Sequence, residues 1–309
     1  MDALSRLLSL HPVHTALDIR CHFGAPWMLD HPAEAPGVAP YHLIVSGGGW
    51  LDMDGRQRIA VQAGDIVLFP HGAAHRLHTG APQPLAPVQR AADAGGVVRV
   101  FENGGTGAVT DILCGRLEFG AAGQAGAQHA LLAALPDLIH VRTAGRADFA
   151  GLHALIAMLR AETETVRPGA GAVVSQLASA LFALLMRAWL EQAAAMPGLF
   201  ALLAEPRLQP ALLAMLAEPD KPWTLEQLAG RCHMSRATFA RVFQKAAGGT
   251  PAAVLTQTRM ARAAGLLAQG RLPVGQIAEQ VGYQSEAAFN RVFKRSYGVG
   301  PGAYRRSAA

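Results

Sequence analysis

The chain has 309 residues, 51% of them apolar and 16% charged, with a formal net charge of +5. That length suits two or three domains, and that apolar share can fill a large core. Three cysteines, Cys21, Cys114 and Cys232, are odd in number and widely spaced, which excludes a disulfide framework and fits the reduced thiols of a cytoplasmic protein. The opening lacks the basic segment followed by an apolar one that marks a secretory leader. The longest apolar run, Val173–Leu190, is interrupted by Ser175, Gln176, Ser179 and Arg187. It matches poorly a membrane span of about 20 apolar residues, so no membrane association is expected.

Residues 15–120 alternate short apolar runs with Gly-, Asp-Gly- and Pro-Gly-type punctuation, the pattern of antiparallel strands and hairpins in a sandwich or small barrel. Asp54-Gly55 is a strong hairpin turn. The run GDIVLFPHGAAH, Gly64 to His75, matches the second cupin motif, G-x5-P-x-G-x2-H, at every specified position. On these residues the segment Leu17–Phe119 resembles a cupin-type sensing domain. Cupin enzymes take two His and a Glu from a first motif and one His from the second. Here His42 is present, Ile44 stands in the place of the second His, and no Glu follows at the matching distance. His42 and His75 alone do not make a tight site, so neither metal nor cofactor is expected, although Cys21, His22, His71 or His78 could supply further donors. Cys21 lies between Arg20 and His22, two groups able to lower a thiol pKa. Cys114, in ILCGRLEF, reads as a buried small hydrophobe. Cys21, His42 and His75 are the candidate effector or redox residues, and no residue is expected to be catalytic.

Beyond Gly120 the spacing becomes helical in HALLAALPDLIHV, FAGLHALIAMLRAE and GAVVSQLASALFALLMRAWLEQ. Val173, Val174, Leu177, Leu181, Leu184, Leu185 and Leu190 supply more apolar surface than one side of a helix needs. Such surface is buried either within an intrachain bundle or between protomers.

Residues 221–309 carry a net charge of +10 and the rest of the chain −5, the electrostatic footprint of a nucleic-acid binder. Within that basic segment FARVFQK (239–245) returns as FNRVFKR (289–295). Ahead of the first copy, Thr224 and Gln227 form a capping-box signature, Leu228 and Ala229 an apolar face, and Ser235 an N-cap for the next helix. Ahead of the second, Ile277, Ala278 and Val281 repeat the face, Gly282 permits a sharp turn and Ser285 caps. The offset is 49 residues for the first helices and 50 for the heptapeptides, so the second turn is longer by one. Phe239, Val242 and Phe243, and again Phe289, Val292 and Phe293, fall at i, i+3, i+4 and predict a buried stripe. Arg236, Ala240, Arg241, Gln244 and Lys245 then turn outward in one helix, and Ala287, Asn290, Arg291, Lys294 and Arg295 in the other. Between the copies, Thr250 as N-cap, Pro251 at the first helical position and Gly270 at the end predict a connecting helix. The pattern is two helix-turn-helix units on one spacer.

Residues 223–305 resemble the C-terminal domain of the AraC/XylS family of transcription regulators: WTLEQLA, MSRATFARVFQ, GGTPAAVL, RMARAAGLL and IAEQVGYQSEAAFNRVFKRSYGVGPGAYR follow in family order without gaps. PHGAAHRL and the opening DALSRLLSLHPV fit a cupin-bearing branch of that family. In oxidant-sensing members of this branch the residue matching Cys21 is an oxidation switch, but their second cysteine, in the loop after the barrel motif, is missing here. The resemblance implies base-reading positions at Ala237, Ala240, Arg241, Ala287, Asn290 and Arg291. Ser235, Arg236, Lys245, Ser285, Lys294 and Arg295 fall where phosphates are met. The expected architecture is α+β and multidomain: a cupin-like antiparallel β-barrel over 1–120, a helical linker and dimerisation region over 121–200, and an all-α double helix-turn-helix over 201–309. Expected partners are double-stranded promoter DNA, RNA polymerase, a second copy of the chain, and a small-molecule or oxidant effector whose identity stays open.

Overall fold

The structure, a computed structural model, describes residues 2–10, 13–80, 84–89, 96–119, 132, 135–165, 167–192 and 198–308. The chain forms two compact units. One comprises Val13–Glu118 and Asp137–Gln192; the other comprises Met1–Pro12, Phe119–Pro136 and Ala193–Ala309. This division departs from the expected boundaries at 120 and 200. The helices over 150–192 belong with the strands, and the first residues of the chain belong with the C-terminal helices.

The first unit is built from β1 (Val13–Gly24), β2 (Met28–His31), β3 (Val38–Ser46), β4 (Gly48–Met53), β5 (Ile59–Gln62), β6 (Ile66–Leu68), β7 (His75–His78), β8 (Val88–Gln89), β9 (Arg99–Glu102), β10 (Val109–Phe119) and β11 (Ile139–Val141). They pair into two sheets, ordered β11-β6-β3-β10-β1-β9-β8 and β2-β7-β4-β5. The cupin-like unit expected as an antiparallel barrel is built from these two sheets, in which β1 and β9 run parallel. The Asp54-Gly55 turn joins β4 to β5 as expected, with Gly55 at φ +71°. Of HALLAALPDLIHV, residues 129–131, 133 and 134 lie outside the described residues. Its end is not helical: Ile139–Val141 is a strand on β6, because so short an apolar run fits either periodicity and the open sheet edge takes it. The core holds Cys21, Phe23, Trp27, Ile44, Val67, Phe69, Leu77, Ile112 and Cys114.

Two helices close this unit, α2 (Ala150–Glu164) and α3 (Ala170–Gln192), packed on each other, with α3 also on β1 and β11. Val174, Ala178, Leu181 and Leu185 are buried at helical spacing, so much of the apolar surface of α3 is spent within the chain. Val173 remains exposed and Leu177, Leu184 and Leu190 half-buried. The helix is long and apolar enough to cross a membrane, but its buried face rests on strands, as a core helix does. Arg20 on β1 donates to both carboxylate oxygens of the buried Asp111 on β10, at 3.0 and 2.7 Å, and to Glu164 on α2.

The second unit is helical: α1 (Ala3–Leu10), α4 (Gly198–Ala204), α5 (Gln209–Ala217), α6 (Leu225–Arg231), α7 (Arg236–Ala247), α8 (Pro251–Ala268), α9 (Val274–Gln280), α10 (Glu286–Tyr297) and α11 (Pro301–Ala308). It has two cores. One gathers Ala3, Leu212, Met215, Leu228, Ala229, Phe239 and Phe243 with Val254 and Leu255 from the start of α8. The other gathers Met260, Ala263 and Leu267 from the rest of α8 with Ile277, Phe289, Phe293 and Tyr304. The spacer helix α8 is thus shared, and each helix-turn-helix has its own apolar centre.

Candidate nucleic-acid interface and sensor site

The two heads follow from local chemistry. Thr224 closes a capping box: its hydroxyl accepts from the Gln227 amide at 3.2 Å while the Gln227 side chain accepts from the Thr224 amide at 3.0 Å. The Ser235 hydroxyl accepts from the Thr238 amide, and that of Ser285 from the Ala288 amide, so each caps its recognition helix, α7 or α10. Four residues separate α6 from α7 and five separate α9 from α10, the one-residue difference read from the repeat. Phe239 and Phe243 are fully buried with ring centroids 5.5 Å apart, and Phe289 and Phe293 reproduce both the burial and the 5.5 Å spacing.

The opposite faces carry the reading and clamping candidates. Arg236, Ala237, Arg241, Gln244 and Lys245 are exposed on α7, and Ala287, Arg291, Lys294 and Arg295 on α10. Ala240 and Asn290 are half-buried. The Asn290 Oδ1 atom is buried without a hydrogen-bond partner, which turns that end of the carboxamide inward. Ser235 also donates to the Thr238 hydroxyl at 2.9 Å, so its hydroxyl proton is already engaged. Among the described residues none of Arg236, Arg241, Lys245, Arg291, Lys294 and Arg295 is held in an ion pair. Other cations of the basic segment serve the fold. Arg259 donates to the carbonyls of Pro219, Asp220 and Lys221, and Arg305 to that of Leu272.

In the strand unit two cross-strand pairs face a common interior. Cys114 on β10 stands opposite His42 on β3, and His31 on β2 opposite His75 on β7. His75 Nδ1 lies 2.8 Å from the Ala73 carbonyl, which can only accept, so that nitrogen carries the proton. His75 Nε2 then accepts from His42 Nε2 at 2.8 Å, and His42 Nδ1 accepts from the Cys114 thiol at 3.0 Å. Burial pushes His42 well below the usual imidazole range, aided by the neighbouring His31 and His75, and burial lowers His75 to about 4. The Cys21 side chain beside it, together with burial, holds the Cys114 thiol well above its ordinary value. The chain Cys114–His42–His75–Ala73 is therefore neutral and satisfied end to end.

A cavity of about 530 Å³ reaches this cluster through Cys21, His31 and Cys114, with Leu29, Leu85 and Phe101 on its apolar walls. That volume lies within the range of small-molecule sites. Of the donors expected from the sequence, His42 and His75 do meet. His22 and His71 are exposed, and His78 is held by Asp52 at 2.9 Å. His31 joins the cluster from outside the cupin motif, and Cys114 is a polar member of it rather than only a small hydrophobe. Cys21 is fully buried. Strand alternation sends Arg20 and His22 to the other face, Arg20 to its carboxylates.

A duplicated helix-turn-helix with unpaired cations, attached to a two-sheet cupin-like unit, defines the class of DNA-binding transcription regulators. Residues 2–191 match the cupin family and residues 228–307 the helix-turn-helix domain. The chain is 34% identical over 306 residues to the RCS-specific HTH-type transcriptional activator RclR of Escherichia coli (strain K12), covering 99% of this chain and 97% of that one. It is 31% identical over 313 residues to the HTH-type transcriptional regulator MtrA of Neisseria gonorrhoeae, covering 99% and 98%. The DNA-binding domain of AdpA, solved with a target DNA, is similar to 33% of this chain and 92% of that one, at 31% identity and a TM-score of 0.31. The chain belongs to the AraC-like family of helix-turn-helix transcriptional regulators, in the branch with an N-terminal cupin domain.

Proposed function

We propose that the chain is a cytoplasmic, non-enzymatic, one-component regulator whose recognition helices α7 and α10 enter adjacent major-groove segments of one promoter. The carrying observation is the repetition of the same buried Phe pair behind two outward faces whose cations are unpaired. The 18 residues of α8 give a spacer of about 27 Å at 1.5 Å per residue, commensurate with a duplex turn of about 34 Å. Arg241 and Arg291 read base edges, Ala237, Ala240 and Ala287 can meet only thymine methyls, and Asn290, whose Oδ1 is turned inward, pairs with adenine only after its carboxamide rotates outward. Lys245, Arg236, Lys294 and Arg295, with the capped ends at Ser235 and Ser285, meet phosphates and set register. A second copy pairs through the exposed side of α3, RNA polymerase is the recipient of the bound complex, and a small-molecule or oxidant signal at the cupin unit shifts the population between DNA-binding arrangements.

The test is selection of duplexes from a random pool by the full chain, followed by competition assays. Selected duplexes should bind about 10³-fold or more tighter than scrambled ones. Equal affinity for all would overturn the reading. Arg241→Ala and Arg291→Ala should each relax preference at separate positions by about 1–3 kcal/mol. Undisturbed preference in either variant removes that residue as a reader.

A further inference from the structure

We propose that His31, His42 and Cys114 form a three-donor site for a single thiolate-preferring transition ion, Zn²⁺, whose fourth position opens on the cavity of the cupin unit. The site goes beyond the DNA-binding reading and does not rest on it. His31, His42 and Cys114 each bring a donor atom to within 4.8 Å of the other two. Tetrahedral zinc holds nitrogen at 2.0–2.1 Å and sulfur at 2.3 Å, which places neighbouring donors about 3.5 Å apart. The His42 Nδ1 to Cys114 Sγ separation, 3.0 Å, is that of the hydrogen bond now joining them and opens by about half an ångström when an ion replaces the proton. Binding exchanges one proton for one metal bond: the Cys114 S–H is lost to solvent, sulfur and two imidazole nitrogens coordinate, and no electron moves.

The rest of the hydrogen-bond chain suits that exchange. With His42 Nδ1 given to the ion, its Nε2–H still donates to His75 Nε2, and His75 Nδ1–H still donates to the Ala73 carbonyl. A metal-bound imidazole is commonly oriented in this way through its other nitrogen. His75 is thus a positioning residue. Two imidazoles and one thiolate are a donor set for a borderline-soft ion rather than Mg²⁺ or Ca²⁺. Access exists, because His31 is half-buried and lines the same cavity as Cys114 and Cys21.

The experiment uses the full chain, stripped with chelator, reduced, and titrated with Co²⁺ as the spectroscopic stand-in and then with Zn²⁺. One Co²⁺ per chain should give a thiolate-to-cobalt charge-transfer band that Zn²⁺ abolishes by displacement. Cys114→Ser should lose the band, while Cys232→Ser should keep it. Should Cys114→Ser fail to fold by circular dichroism, His31→Gln, a change at a half-buried position, should still weaken uptake at least tenfold in a folded protein. His75→Gln should keep the band, since the ligands are unchanged, but weaken affinity by about 10–100-fold. Absence of the band from the folded wild type, its survival in Cys114→Ser, or full-strength uptake by His31→Gln overturns the site.

Discussion

His233 holds φ at +53°, and Gly282 occupies the matching place in the second head at φ +84°. Both end the first helix of their unit in the same way. The Met234 amide reaches back to the Ala229 carbonyl and the Tyr283 amide to that of Ala278, each at an i+5 spacing that needs a left-handed residue between. A side chain in that conformation costs roughly 1–2 kcal/mol, so His233→Gly should raise the melting temperature. Gly282→Ala should lower it by more, because the added Cβ would sit 2.4 Å from the Asp220 carbonyl and 2.8 Å from the Arg259 guanidinium. Thermal melts of the two variants check both signs. Lys245, exposed in the last turn of α7, belongs to the same scale. Lys245→Ala should weaken every duplex alike and lower the slope of log affinity against log salt by about 0.9, which a salt titration on one selected and one scrambled duplex measures.

At the scale of elements, the heads were legible because caps, Phe stripe and turn are all written within a few neighbouring residues. Thr224, Ser235, Ser285 and Gly282 each do locally what their chemistry favours. The sensor was less legible because its chemistry is assembled by register between distant strands. Nothing near Cys114 in the sequence points to His42, 72 residues away, and nothing near His31 points to His75 across the β2–β7 pair. A usable signal for Cys21 did exist in the period of two along β1, which opposes it to Arg20 and His22. The Arg20–Asp111–Glu164 link was unreadable for the same reason, since it joins β1, β10 and α2. The Asp111 side chain is 2% exposed and that of Arg20 12%, and removing one partner of such a pair costs about 3 kcal/mol or more. Asp111→Ala should therefore lower the denaturant midpoint of the strand unit, followed by the emission of Trp27 in its core, while the helical unit's DNA affinity changes far less.

For the whole molecule, the separation of the two helical cores along α8 makes spacing a property of one element. The first core ends on that helix at Leu255 and the second begins at Met260. One alanine inserted after Gln257 should turn the second head by about 100° about the helix axis, at 3.6 residues per turn. The Arg259 bonds to the 219–221 carbonyls are lost but the apolar contacts of both cores remain, so helicity should persist while preference for the selected duplex collapses toward that for scrambled DNA. Far-ultraviolet circular dichroism and competition binding on the same sample separate the two effects.

The helix α1 carries a different kind of consequence. It packs on α5 and α8, with Leu7 buried and Ala3 in the first head's core, yet β1 of the other unit begins only a few residues later. During translation this helix is made well before its partners and meets them after roughly 200 further residues, about 10–40 s at usual elongation rates. The strand unit needs α3 as far as Gln192. The helical unit thus waits for its last helices while the strand unit, complete at Gln192, can fold before it, so α1 spends most of synthesis with its apolar face unburied.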